Sequence, residues 1–244
     1  VRSLPDRAVF PLVEWRHARH EPELRRLDDF VDPGRAAVDV GAWRGPYTRA
    51  LARRVPRVHA VEPQPALAAF LRRVAPANVT VHEVAVGATR GRAELIVDER
   101  PGRDALARLG TESVEGVDPR HRAVHDVPVV PLDELGASDV GFLKIDVEGR
   151  ELDAIAGAAD LLTRDRPAVL LEVEQRHLDH PITDVFDALH AHGLRGWFLR
   201  DGWQPLAAFD LERDQTAHLA SPTSGRYVNN FLFLPGTDPP GSRR

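Results

Sequence analysis

Three short segments carry side chains whose types and spacing could do chemistry. In Leu143-Lys144-Ile145-Asp146-Val147-Glu148-Gly149, Lys144, Asp146 and Glu148 fall at alternate positions, one face if the segment is a strand. Three charges on one face of an apolar strand are expensive unless they sit near its open end and are paired. Glu172 and Glu174 repeat the arrangement in Leu171-Glu172-Val173-Glu174. In Val38-Asp39-Val40-Gly41-Ala42-Trp43-Arg44-Gly45, Gly41 suits a tight strand-to-helix turn and Gly45 a close backbone approach. Glu62, in Val61-Glu62-Pro63, lies about 20 residues on, where a carboxylate can accept hydrogen bonds from ribose hydroxyls.

The first loop departs from the dinucleotide pattern G-x-G-x-x-G, because Ala42-Trp43-Arg44 breaks its spacing. Asp39 beside it would repel a pyrophosphate, so a cationic nucleoside fits better. S-adenosylmethionine, with an ammonium and a sulfonium, is such a ligand. Lys144 is the only lysine among 32 Lys and Arg residues. Lysine is a compact point charge that can lose its proton when buried, unlike arginine.

These groups need strands that end together. Ala36–Val40, Val58–Val61, Val79–Val84, Gly141–Val147 and Ala168–Glu174 read as strands, alternating with helices over 47–54, 65–74, 151–162 and 182–192. That alternation predicts a doubly wound α/β sheet, with ligands outside the C-terminal ends of its strands. Asp39, Glu62 and Asp146 all fall at such ends. Two further strands, 194–200 and 228–234, are expected to close the sheet edge. Residues 93–97 and 127–130 also read as strands, with Asp98–Asp126 between them as an insert, a lid or acceptor loop. Residues 1–35 read as a loop and a helix over 22–30 that cover the site, 36–235 as the catalytic domain, and 236–244 as a disordered tail.

Composition narrows the function. The 244 residues and 43% hydrophobic content suit one large domain, and a net charge of −5 without a basic stripe argues against nucleic acid. With no cysteine, disulfides and thiol nucleophiles are excluded. No apolar run is long enough to span a bilayer, and the first 15 residues lack a signal-peptide core, so a cytoplasmic location is expected. The pairs His17/His20, His177/His180 and His190/His192 read as surface histidines, with His177, after the fifth strand, the one worth mutating.

The sequence resembles the FkbM family of methyltransferases. The resemblance rests on Val38–Ala42 with Gly45, Tyr47 and Thr48; on Val61-Glu62-Pro63; on Ala85-Val86-Gly87 and Pro131–Leu135; on Leu143–Gly149 with Glu151; on Arg166-Pro167 with Leu171-Glu172; and on Asn230 before Leu232-Phe233. It covers roughly 24 to 235. It implies a class I methyltransferase Rossmann-like sheet of seven strands, mostly parallel with the last antiparallel, and S-adenosylmethionine as cofactor. It also implies O-methylation of a small molecule such as a natural product, sugar or glycolipid. By position, Asp39, Gly41, Ala42, Gly45, Tyr47 and Thr48 would surround the methionine part, with Trp43 in the same loop. Glu62 and Pro63 would hold the ribose, and Glu83 with Val84 would flank the adenine. Trp43-Arg44 is bulkier than usual for this loop.

For the reaction, Asp146 or Glu148 is expected to take the acceptor's proton, with Lys144 tuning that carboxylate and Glu172 in reserve. Asp146 would also border the cofactor. A Mg²⁺ held by Asp146, Glu172 and another acid is the less favoured route, and no dedicated metal site is assigned. An NAD-dependent oxidoreductase and a non-catalytic S-adenosylmethionine-binding module are the rival functions. Neither the acceptor nor the oligomeric state is readable.

Overall fold

Short apolar runs and the helices between them build two sheets in a computed structural model that describes residues 6–98, 100, 107–109, 119–220, 226–236 and 238–241. Helix α1 (Asp6–His17) opens the described chain, followed by 3-10 turns at Pro22–Arg25 and Leu27–Asp29. Then come β1 (Ala36–Val40), α2 (Pro46–Ala52), β2 (Val58–Val61), α3 (Pro65–Val74) and β3 (Val79–His82). Strands β4 (Ala85–Val86), β5 (Gly91–Asp98), β6 (Ala107–Leu109) and β7 (Arg122–Val130) follow. The chain continues through β8 (Val140–Ile145), α4 (Glu151–Ala156), α5 (Ala159–Asp165), β9 (Ala168–Glu172) and α6 (Ile182–Ala191). It ends with β10 (Leu194–Leu199), β11 (Trp203–Pro205), α7 (Leu211–Asp214) and β12 (Asn230–Pro235).

The larger sheet has the order β11-β10-β12-β9-β8-β1-β2-β3. Strands β3, β2, β1, β8 and β9 are parallel, whereas β12 runs antiparallel to both β9 and β10. This is the expected doubly wound sheet with an antiparallel last strand. Two details differ. Strand β12 inserts between β9 and β10 instead of closing an edge, and the short β11 adds an eighth strand through a hairpin with β10. All residues of β1 and β8 are buried, as for strands covered on both faces. Along β8, Phe142 packs on the side of Leu27, Tyr47 and Leu51, and Leu143 on the side of Ile155, Leu162 and Leu189.

The chain moves outward from β1 through β2 to β3, then returns to β8 on the other side of β1. That reversal leaves a crevice at the C-terminal ends of β1 and β8.

The second sheet, of order β4-β7-β5-β6, is where the sequence suggested only two strands and an insert. Strand β7 starts at Arg122, well inside the expected loop, and pairs with β5 from Gly91 to Asp98. Its first half alternates exposed and half-buried positions, so its apolar signal begins only near Val127. Of the proposed acceptor loop, residues 99, 101–106 and 110–118 lie outside the described residues. So do 237 and 242–244 of the tail, although Gly241 donates its N–H to the Asp29 carbonyl.

The expected helix 151–162 is two helices. A Cβ at Gly157 would stand 2.2 Å from the Gly87 carbonyl oxygen, and the Gly157 carbonyl accepts from Asp133 N–H. The helix therefore breaks where another backbone crosses it. The expected helix over 22–30 is only the two 3-10 turns, and the true N-terminal helix is α1, despite Pro11 in its interior. Tertiary contacts hold it. Phe10 meets Phe70 edge-on at 6.3 Å, and Glu14 pairs with Arg49 and Arg53 of α2 and its C-terminal turn. Among the described residues no helix is long and apolar enough to cross a membrane.

Candidate active site

A cleft of about 680 Å³ opens at the crevice, a size typical of small-molecule sites. Val40, Gly41 and Trp43 form one side, and Glu62, Pro63 and Gln64 the adjoining rim. Val61, Leu67, Val84, Val86 and Leu95 make an apolar wall. Asp146, Glu148 and Glu172 face it from the ends of β8 and β9.

The glycine loop is shaped by its neighbours. Gly41 has φ +76°, and a Cβ there would stand 1.9 Å from the Asp146 carbonyl oxygen, so no other residue fits. Gly45 has a different role from the one expected. A Cβ would strike Phe10 at 2.6 Å and Leu71 at 2.7 Å, so this glycine makes room for α1. Trp43 adopts a left-handed φ of 49°, which turns its N–H toward Glu62 Oε2 at 2.7 Å. Its indole Nε1 is buried without a hydrogen-bond partner.

Of the other residues expected around the methionine part, Asp39, Ala42, Tyr47 and Thr48 are buried behind the loop and do not line the cleft. Thr48 donates its hydroxyl to Asp39 Oδ2. Burial pushes the Asp39 carboxyl up to about 6, held back by that hydrogen bond and by Lys144. Tyr47 presents its ring to Lys144 Nζ at 5.1 Å.

Glu62 is anchored by two backbone amides, Trp43 N–H and Gln64 N–H at 2.8 Å, which fix its carboxylate at the end of β2. Burial raises its pKa to about 7 against the pull of those amides. Glu83 sits elsewhere than the cleft lining, paired with Arg72 at 2.6 Å, while Val84 lines the apolar wall.

Strand β8 stops at Ile145, so Asp146 and Glu148 are turn residues and the single strand face read from the sequence ends with Lys144. Glu148 takes φ +48° and Gly149 φ +92°, which carries the Glu148 carboxylate to His177 Nδ1 at 3.0 Å. Beneath the turn, the 2% exposed Lys144 reaches Asp146 at 3.3 Å and Glu172 at 3.4 Å. Burial favours neutral Lys144, but Asp146, Glu172, Glu21 and Asp39 outweigh it and keep the ammonium charged. Asn229 donates to the other Glu172 oxygen at 2.8 Å. Burial with Asp146 and Glu174 near it pushes Glu148 up to about 8.

The cleft lining also holds residues that the sequence did not mark for it, among them Glu21 and two histidines, His17 and His20, that it placed on the surface. His17, His20 and Glu21 come from the end of α1 and the segment after it, and His17 pairs with Glu21 while its ring lies 5.8 Å from that of Trp43. The i, i+4 spacing of His17 and Glu21 was the available signal, but only the docking of α1 onto α2 and α3 brings them to the cleft. His180 and His190 instead face the surface acids Asp184 and Asp187. Among the described residues no three His, Asp or Glu side chains group as a metal site, and Lys144 already joins the two carboxylates weighed for Mg²⁺.

A family model for the methyltransferase FkbM domain matches residues 39–195. Among solved structures, the chain is similar to methyltransferase FkbM from Methylobacillus flagellatus KT, with 16% identity and a TM-score of 0.52, over 83% of this chain and 44% of that one. It thus spans less than half of that protein's length, and the likeness is one of fold. It is also similar to precorrin-6y C5,15-methyltransferase from Geobacter metallireducens GS-15 (17% identity, TM-score 0.44, 74% and 72% covered). A third match is a TehB-like SAM-dependent methyltransferase from Corynebacterium glutamicum ATCC 13032 Kitasato (13% identity, TM-score 0.44, 90% and 91% covered). No curated protein matches the sequence.

Proposed function

We propose, for a chain that belongs to the FkbM methyltransferase family, that the cleft binds S-adenosylmethionine and directs methyl transfer to a hydroxyl of a small molecule. One observation carries the reading: Glu62, the Gly41 loop and the Asp146–Glu148 turn converge on one cleft with an apolar wall. The residues fit the cofactor. Gln64 Oε1 and Trp43 Nε1 are buried polar atoms at the cleft with no partner, and a nucleoside could supply both. Glu62 would accept from ribose hydroxyls, Val84 and Leu67 would flank the adenine, and Gly41, Trp43 and Asp146 would border the methionine part.

When bound, S-adenosylmethionine supplies a methyl carbon whose bond to sulfur breaks as the bond to the acceptor oxygen forms. The chain's part is to position the acceptor and take its proton. Glu148 suits proton removal, because it lines the cleft, burial lifts its pKa to about 8, and His177 holds it. Asp146 stays paired with Lys144 and orients the acceptor hydroxyl. Glu172, tied by Lys144 and Asn229, fixes the ammonium in place. A dinucleotide oxidoreductase is the poorer reading, because the Trp43 loop lacks the spacing that cradles a pyrophosphate.

The test is methyl transfer from [methyl-³H]S-adenosylmethionine to matched alcohols, amines and carbon nucleophiles. The expected outcome is label in methyl ethers of the alcohols. Label confined to amines or carbon acceptors would overturn the hydroxyl assignment.

A further inference from the structure

A small recess adjoins the cleft and shares Asp146, Glu148 and Glu172 with it. Its remaining walls include Glu151, at the start of α4, with Glu174 and His177 beyond β9. Its volume is about 10 Å³, room for one water-sized group.

Five carboxylates border the recess, and all but one of them have a basic side chain beside them. Lys144 serves Asp146 and Glu172, and His177 faces Glu148. Arg176 pairs with Glu174 at 2.6 Å, and Tyr227 also donates its hydroxyl there. Glu151 is the exception. Its Oε1 accepts from Gly149 N–H at 2.8 Å, but Oε2 is buried with no donor, in a residue only 2% exposed. Among the described residues no cationic side chain is salt-bridged to it, and His180 acts on it only through a weaker, longer-range attraction. A buried carboxylate oxygen without a donor is costly, and with one ammonium shared by Asp146 and Glu172 the recess is also short of positive charge, so a cationic donor from outside the chain would serve both needs.

The donor's chemistry follows from the spacing. A bound divalent metal needs several oxygens at about 2.0–2.6 Å, and among the described residues no such group of side chains exists. An organic ammonium is satisfied at ordinary charged hydrogen-bond distances of about 2.7–2.9 Å and matches the size of the recess. Burial raises the pKa values of Glu148 and Glu151, the direction expected of carboxylates short of a cation.

We infer, resting on the hydroxyl-methylation reading, that the acceptor is an amino alcohol whose ammonium seats in this recess against Glu151 while its hydroxyl lies beside Glu148. The amine then acts as the handle and the hydroxyl as the reacting group. The recess also disfavours acylated amines, which carry no charge and are too large for it.

The experiment titrates the protein, with and without S-adenosylhomocysteine, using ethanolamine, N-acetylethanolamine and ethylene glycol as probes, read by ligand-observed NMR. Ethanolamine should bind about tenfold more tightly than either neutral probe, the worth of one charged hydrogen bond. Glu151→Gln, close in shape, should erase that preference while leaving affinity for S-adenosylhomocysteine unchanged. Equal binding of the three probes, no binding of ethanolamine, or an undiminished preference in the variant would overturn the inference. If the variant fails to fold, the probe comparison on the unaltered protein decides alone. An ethanolamine preference without any binding of S-adenosylhomocysteine would keep the ammonium site and remove the methyl-transfer reading, so the two fail separately.

Discussion

Glu148→Gln should lower kcat by about 10²- to 10⁴-fold, the range for loss of a general base, with cofactor affinity nearly unchanged. The substitution keeps the shape and removes only proton affinity. The unaltered protein should also show a rate that rises with pH through about 8, because Glu148 must lose its own proton before it can take the acceptor's. In the variant that limb should vanish. Single-turnover kinetics with a working acceptor, followed from pH 6 to 9, separates chemistry from binding. A variant within about threefold of the parent, with the same pH profile, would show that Glu148 is not the base and shift the role to Asp146.

Lys144→Met should cost about 3–5 kcal/mol of stability, because removing one partner of a buried ion cluster strands the others. The only lysine of the chain is 2% exposed and spans Asp146 and Glu172. Methionine fills much of the same volume, so packing contributes little to the loss. Once the ammonium is gone, Glu172, whose pKa burial already raises, takes up a proton to relieve the repulsion, and the penalty should shrink as pH falls. Urea unfolding at pH 7.5 and pH 5 measures both effects. A loss under about 1 kcal/mol, or one independent of pH, would mean that the three charges do not act as one cluster.

The parallel core was legible because its strands are short, apolar and bounded by turn residues. Ala36–Val40 and Val58–Val61 needed no tertiary information. Glu62 and Asp146 were legible for the same reason: each follows such a run at the sheet end where ligands gather. What was not legible depends on distant partners. Nothing local marks Gly157 as a helix break, since the cause is the Gly87 carbonyl. Helix α1 contains Pro11 and charged residues and is held by Phe70, Arg49 and Arg53, so the side of the cleft formed by His17 and Glu21 was hidden with it. The alternation of Lys144, Asp146 and Glu148 suggested one strand face. The left-handed turn at Glu148 instead aims that carboxylate at His177, and no periodicity argument anticipates such a turn.

The most direct test of the account is calorimetric titration with S-adenosylmethionine, S-adenosylhomocysteine and NADH, run beside Glu62→Gln. Micromolar binding of the first two, none of NADH, and a loss of about tenfold in the variant, the worth of a charged hydrogen bond to the ribose, is the predicted result. Binding of NADH, or no binding of either sulfur nucleoside, would contradict the claim that this cleft holds the methyl donor.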